Sequence, residues 1–281
     1  MKKIEKNTTH NFLHDLSKKS DVISSEITSF FKRNFSIILI LFAVALAAYG
    51  FELFNLNLTI DEELASLNRG MDVWQIGSGR WGKYFLANAL LPLSTIPFVP
   101  LCIALIFQIG AILLMMNVFE IKGKKEQIIV GTIGISYSGM AFIYNFSTAN
   151  YLVGIGIFCV ALSLFIYAKD FKARNYISII PSVIAISIYQ PLIPALISVY
   201  LLYIIYFWNK SGFQRLLELK NIIIINVFSV IIYFLVTKLL ITLYGITISG
   251  YVTHFFDMMC QRFSATDEEI KSFVCKQSME E

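Results

Sequence analysis

The chain has 281 residues, 57% of them hydrophobic and 15% charged, with a mean hydropathy of +0.68. A water-soluble domain of this size cannot hide that much apolar surface, so composition excludes an ordinary soluble enzyme and points to an all-α polytopic membrane protein. The formal net charge of +4 says little as a total. The positions of the 23 Lys and Arg say more, and no nucleic-acid partner is expected.

Residues 1–34 carry seven basic side chains, among them Lys2, Lys3, Lys18, Lys19 and Arg33. Leu13, Leu16, Val22, Ile23, Ile27, Phe30 and Phe31 recur at near-helical spacing, which predicts an amphipathic arm lying on the membrane surface. His10 and His14 stand four apart but have no third ligand nearby, so they read as solvated helix positions. No secretory signal is visible, because the first apolar run begins only near Phe35.

That run, Phe35 to Phe54, has about the 20 residues needed to cross ~30 Å of hydrocarbon. A polar passage over 55–84 follows. Phe85–Leu93 is predicted as a short interfacial helix that stops at Pro92 and Pro97. Further spans are expected at about Phe98–Phe119, Ile128–Phe146, Tyr151–Ala168, Tyr176–Gln190, Pro191–Trp208 and Asn221–Tyr244, about seven in all. The fifth and sixth are hinged at Tyr189-Gln190-Pro191. The tail, 245–281, is polar with aromatic patches. Its Cys260 and Cys275 can pair if it lies in an oxidising compartment, whereas Cys102 and Cys159 fall inside apolar runs.

Charge gives an orientation. Three loops, at 120–127, 169–175 and 209–220, carry three Lys or Arg each, and all lie on the same side as the basic arm. The opposite side holds only Arg69, Arg80 and Lys83 in the first loop, with Arg262, Lys271 and Lys276 in the tail. The positive-inside rule then puts the N-terminus in the cytoplasm and the 55–84 loop outside. The tail is expected outside as well.

That outer loop concentrates the chemistry. It holds three adjacent carboxylates (Asp61, Glu62, Glu63), Arg69 and Arg80, Trp74 and Trp81, and the run Gly77-Ser78-Gly79. A carboxylate within hydrogen-bond reach can deprotonate a hydroxyl nucleophile, and neighbouring acids raise one another's pKa. Arg80 has a planar fork that matches phosphate oxygens. The plainer reading is local. Thr59 and Glu62 fit a capping box, and acidic residues favour a helix start on dipole grounds. Interfacial Trp is often a belt residue. The glycine run is not a phosphate-loop signature and predicts only a tight turn before Arg80. Within the membrane, Gln190 beside Pro191 and Pro194 either lines a cavity or satisfies backbone freed by the prolines. Lys238 in the seventh span either meets a lipid phosphate or snorkels to an interface.

One span, an outer loop with the Asp61-Glu62 pair, then Gly79-Arg80-Trp81 before a Pro-rich second span resemble the serotype-converting O-antigen glucosyltransferase II family. The Ser187-Ile188-Tyr189-Gln190 stretch is similar to a Tyr-Gln motif in that family, and the resemblance runs from about Phe35 to Phe207. It implies a GT-C-type glycosyltransferase of the bacterial inner membrane. Such an enzyme takes a glucosyl group from a polyprenyl-phosphate-sugar donor and moves it onto a lipid-linked polysaccharide acceptor at the periplasmic face. Carried over, the catalytic role falls to Asp61 and Glu62. Glu63, Arg80, Trp81, Tyr189, Gln190 and Lys238 are expected to contact substrate. No cofactor is implied, and no Asp/His cluster specifies a metal. Against the family pattern the chain is expected to be shortened at its C-terminus, and the acidic residue usual after the outer turn at Ser147–Asn150 is not evident. The alternatives are an inactive remnant, or a transporter of lipid-linked sugar, which proline-broken spans would suit.

Overall fold

A computed structural model describes residues 32–55, 73–89, 98–144, 147–169, 173–207 and 212–246. Within them every regular element is an α-helix: α1 (Lys32–Phe54), α2 (Trp74–Gly77), α3 (Trp81–Ala89), α4 (Val99–Val118), α5 (Lys124–Ile135), α6 (Ser138–Tyr144), α7 (Ser147–Ala168), α8 (Arg174–Ile188), α9 (Leu192–Tyr206) and α10 (Gly212–Tyr244). The amphipathic arm over 1–31, the acidic triplet, and Cys260 and Cys275 lie outside the described residues.

Four helices are long and apolar enough to cross a membrane: Lys32–Phe54, Val99–Val118, Asn150–Ala168 and Leu216–Tyr244. Three of them expose broad apolar faces, as at Phe51, Ile106, Leu235 and Leu243, while Asn150–Ala168 is enclosed by its neighbours. In water such faces would be untenable; facing lipid tails they are unremarkable. The other expected spans take different forms. The run expected as one span over Ile128–Phe146 is two helices, because α5 ends at Ile135 and α6 begins at Ser138. Helices α8 and α9 have 15 residues each. At 1.5 Å per residue each covers only about 22 Å.

The break between α5 and α6 falls at Ser136-Tyr137, where a polar residue and an aromatic one precede Ser138 and Gly139. A helix end inside a membrane bundle needs partners for its freed carbonyls. Tyr49 of α1 donates to the Ile135 carbonyl at 2.7 Å, and Gln108 Nε2 of α4 donates to the Gly134 carbonyl at 3.0 Å. Tyr144 then donates to Gln108 Oε1 at 2.5 Å, and its ring meets Tyr49 edge-on at 5.1 Å. Polar residues on α1 and α4 thus complete a helix that their own spans do not contain.

Packing explains the rest. On α1 the buried residues Ile37, Leu41, Ala45, Tyr49 and Leu53 recur every fourth position and form one stripe that shares a core with α4, α5 and α6. Because lipid offers no hydrophobic drive between helices, close approach through small residues matters more. Helices α4 and α7 touch at Gly154, where a Cβ would come within 2.6 Å of the Ala104 Cα. Helices α7, α8 and α9 are joined by a buried polar knot. Ser163 Oγ donates to the Ser178 carbonyl at 2.8 Å and lies 2.7 Å from both Ser182 Oγ and Tyr200 Oη. Pro181 lies in this turn of α8 and, lacking an N–H, leaves a helical carbonyl unpaired.

The bundle has two distinct ends. At one, Phe119 meets Tyr206 at 5.2 Å, while Arg174 pairs with Glu218 at 3.3 Å and lies over the Tyr167 ring at 5.0 Å. Tyr167 also donates to the Glu218 carboxylate. The described residues of the three basic connections belong to this end. At the other, Phe54 meets Phe98 at 6.2 Å, and Ala87, Tyr151, Leu152 and Ile188 share a small core. Helices α2 and α3 belong there.

Candidate functional site

The site is built on the turn between α2 and α3. Its backbone closes on itself: the Ser78 N–H donates to the Trp74 carbonyl, Gly79 to Ile76, and Arg80 to Gln75, the last at 2.7 Å. Ile76, Gly77, Ser78 and Gly79 are buried. Gly79 has φ +78°, a left-handed conformation that disfavours any residue with a Cβ. A Cβ there would also press on the Tyr233 hydroxyl and sit 3.0 Å from Gln190 Nε2. Gly82 allows the next contact, because a Cβ would run into Ser187 at the end of α8, 3.0 Å from its carbonyl carbon.

Three distant parts of the chain meet around this turn. Gln190, just past α8, donates through Nε2 to the Ser78 carbonyl at 2.8 Å and to Tyr233 Oη at 3.2 Å. Its Oε1 accepts from Arg80 Nε at 3.3 Å. Tyr233 on α10 in turn donates to the Gly79 carbonyl at 3.0 Å. One turn on, Trp81 Nε1 donates to Thr237 Oγ1 at 3.2 Å. The Arg80 guanidinium lies 6.0 Å from the centre of the Tyr189 ring, within reach of a cation–π interaction. The arrangement fixes a half-buried arginine at one end of a helical bundle, where an anionic group can meet its fork.

Of the residues expected from sequence, Arg80, Trp81, Tyr189 and Gln190 come together here. Lys238 is exposed on α10 and takes no part in the cluster; its carbonyl accepts from Thr242 Oγ1 at 3.0 Å. Asp61, Glu62 and Glu63 stand between α1 and α2 in sequence, at 56–72, outside the described residues. Trp74 is half-exposed beside the turn. Sequence reasoning missed Tyr233 and Thr237. Their signal was present as polar positions, Asn226, Ser229, Tyr233 and Thr237, spaced three or four apart along an otherwise aliphatic span. Among the described residues no three His, Cys, Asp or Glu side chains form a group that could hold a metal ion.

The structure thus joins Gly79-Arg80-Trp81 to Tyr189-Gln190, two of the motifs on which, with the Asp61-Glu62 pair, the family resemblance rested. The family model described as glucosyl transferase GtrII matches residues 50–278. The chain belongs to this family. The GtrII match takes in the whole Arg80 cluster, the acidic triplet and most of the tail, well past Phe207, where the motif resemblance stops. The protein is therefore a glucosyltransferase of the membrane in its general class, which implies a sugar donor and a glycan acceptor. Comparison with curated proteins and with solved structures gave no match.

Proposed function

We propose that this chain is a GT-C-type glucosyltransferase of the bacterial inner membrane. It takes the glucosyl group of polyprenyl-phosphate glucose and moves it onto lipid-linked O-antigen or a related surface polysaccharide at the periplasmic face. The observation that carries this reading is the Arg80–Gln190 contact at the end of the bundle opposite the basic connections, in a chain of the GtrII family. Counting α5 with α6 as one interrupted crossing, and α8 and α9 as two short ones, gives seven crossings. The basic connections then face the cytoplasm along with the N-terminus, and the Arg80 end faces outward.

In this reading an acceptor hydroxyl oxygen attacks the anomeric carbon of the donor. The bond from that carbon to the phosphate oxygen breaks, and its electron pair leaves on polyprenyl phosphate. The hydroxyl proton passes to Asp61 or Glu62 acting as general base. Arg80 meets the phosphate oxygens, where negative charge grows as the bond breaks, so the contact strengthens toward the transition state. Trp81 and Tyr189 lie beside Arg80; they and Glu63 supply contacts to sugar, and Lys238 supplies one to lipid. The transport alternative drew on the proline-broken fifth and sixth spans, but at their hinge the Gln190 amide is taken up by Ser78, Tyr233 and Arg80.

The test is transfer of labelled glucose from polyprenyl-phosphate glucose to polysaccharide by membranes holding the wild type, Asp61→Asn or Glu62→Gln at matched abundance. Loss of transfer of about 100-fold or more in one variant is expected of a general base. Full transfer in both would remove the base from this loop. A wild type that transfers nothing would overturn the enzymatic reading.

A further inference from the structure

Resting on that reading of Arg80, we infer that Tyr233 and Gln190 do not touch substrate but act as a positioning pair that aims the Arg80 guanidinium. The hydrogen-bond inventory leads to this. A glutamine amide has two N–H donors and one carbonyl acceptor, and a tyrosine hydroxyl has one donor. Gln190 spends both donors inside the protein, on Ser78 and Tyr233, and its oxygen on Arg80 Nε. Tyr233 spends its one proton on the Gly79 carbonyl while accepting from Gln190. The orientation of the amide is forced: flipped, its oxygen would face the Ser78 carbonyl and its nitrogen would face the Arg80 donor. Tyr233 is 5% exposed, so its hydroxyl lies within the bundle rather than in an open cleft.

The consequence falls on Arg80. Holding Nε leaves the two terminal nitrogens of the fork as the part that takes no partner among the described residues. Those nitrogens present the bidentate edge to an incoming phosphate. The turn that carries Arg80 is fixed at the same time, since the carbonyls of Ser78 and Gly79, the two residues before it, are the acceptors for Gln190 and Tyr233. Removing one hydroxyl would loosen both the turn and the amide that aims the fork. Of the α10 residues, Tyr233 rather than Lys238 then governs how the donor phosphate is held.

The experiment measures kcat and KM for polyprenyl-phosphate glucose in the wild type, Tyr233→Phe, Gln190→Met and Arg80→Lys, and in Arg80→Lys combined with each of the other two. Arg80→Lys keeps a cation but lacks both the fork and the Nε that Gln190 grips. Tyr233→Phe and Gln190→Met are each expected to lower kcat/KM for the donor about tenfold, the scale of one hydrogen bond. In the Arg80→Lys background the same changes are expected to cost less than twofold, because residues acting through one partner are not additive. Equal losses in both backgrounds would overturn the positioning role, since a change that merely weakens the fold costs the same in each. So would unchanged donor kinetics in Tyr233→Phe. If Tyr233→Phe fails to accumulate, Gln190→Met carries the same comparison: additive loss with Arg80→Lys overturns the pair. Full activity in Arg80→Lys would instead defeat the assignment of the Arg80 fork to the phosphate, a failure distinct from that of the pair.

Discussion

Gly79 is the position at which a single added methyl group should be felt most. In Gly79→Ala the backbone must either hold φ near +78° with a Cβ or abandon the turn. The left-handed conformation alone costs an alanine about 1–2 kcal/mol. The methyl also presses on the Tyr233 hydroxyl and comes to 3.0 Å from Gln190 Nε2. The Tyr233 bond to Gly79 and the Gln190 bond to Tyr233 must then lengthen or break, at about 1 kcal/mol each. The assembled turn is thereby disfavoured by roughly 3–4 kcal/mol, which at 1.36 kcal/mol per decade lowers its population at least 100-fold. Two assays read this: glucosyl transfer by membranes of matched protein content, and thermal unfolding of the detergent-solubilised protein. Gly50→Ala is the control, because a Cβ there meets nothing within 4 Å. It is expected to leave transfer unchanged and to favour α1 by up to about 1 kcal/mol. Transfer within threefold of wild type in Gly79→Ala, with an unchanged unfolding midpoint, would refute the reasoning. Equal losses in Gly50→Ala would show that the effect is not local to the turn.

The fold makes two further predictions that need no assumption about the reaction. Gly154→Ala should lower the unfolding midpoint clearly, because its Cβ would stand 2.6 Å and 2.8 Å from the backbone Cα and oxygen of Ala104. Helices α4 and α7 must then move apart, at about 1–3 kcal/mol for overpacking; an unchanged midpoint would argue against that contact. At the opposite end, Glu218→Gln should destabilise by roughly 1–3 kcal/mol, since it strips a half-buried Arg174 of its counter-charge. Adding Arg174→Gln should restore part of the loss. A double variant worse than the single one would show that the ion pair is not what holds this end together.

Much of this protein was legible from its sequence, because lipid imposes simple rules on a chain. Twenty apolar residues in a row cannot rest in water, and this alone located α1, α4, most of α7 and α10. The hinge at Tyr189-Gln190-Pro191 was legible for a similar reason, since proline lacks the N–H that would continue the helix. Gly79 announced its turn, and Arg80, Trp81, Tyr189 and Gln190 stood out as polar or aromatic residues at the edges of apolar blocks. Tertiary structure alone decided the rest. The run over Ile128–Phe146 reads as one continuous span, yet it breaks at Ser136-Tyr137, because Tyr49 and Gln108 supply hydrogen bonds from helices more than 20 residues away in sequence. Hydropathy counts residues and cannot see a donor arriving from another helix. The same limit hid Tyr233: its spacing with Ser229 and Thr237 marks a polar line along an apolar span but not what that line meets. Lys238, conspicuous as a charge, drew attention instead. Only the packing of α10 beside the Gly79 turn, 154 residues away in sequence, turns that hydroxyl inward to the backbone before Arg80. The sequence determined which residues can live in the membrane and which stand at its border. Which of the border residues meet was decided by helices touching across the bundle, where a hydrogen bond depends on distance in space.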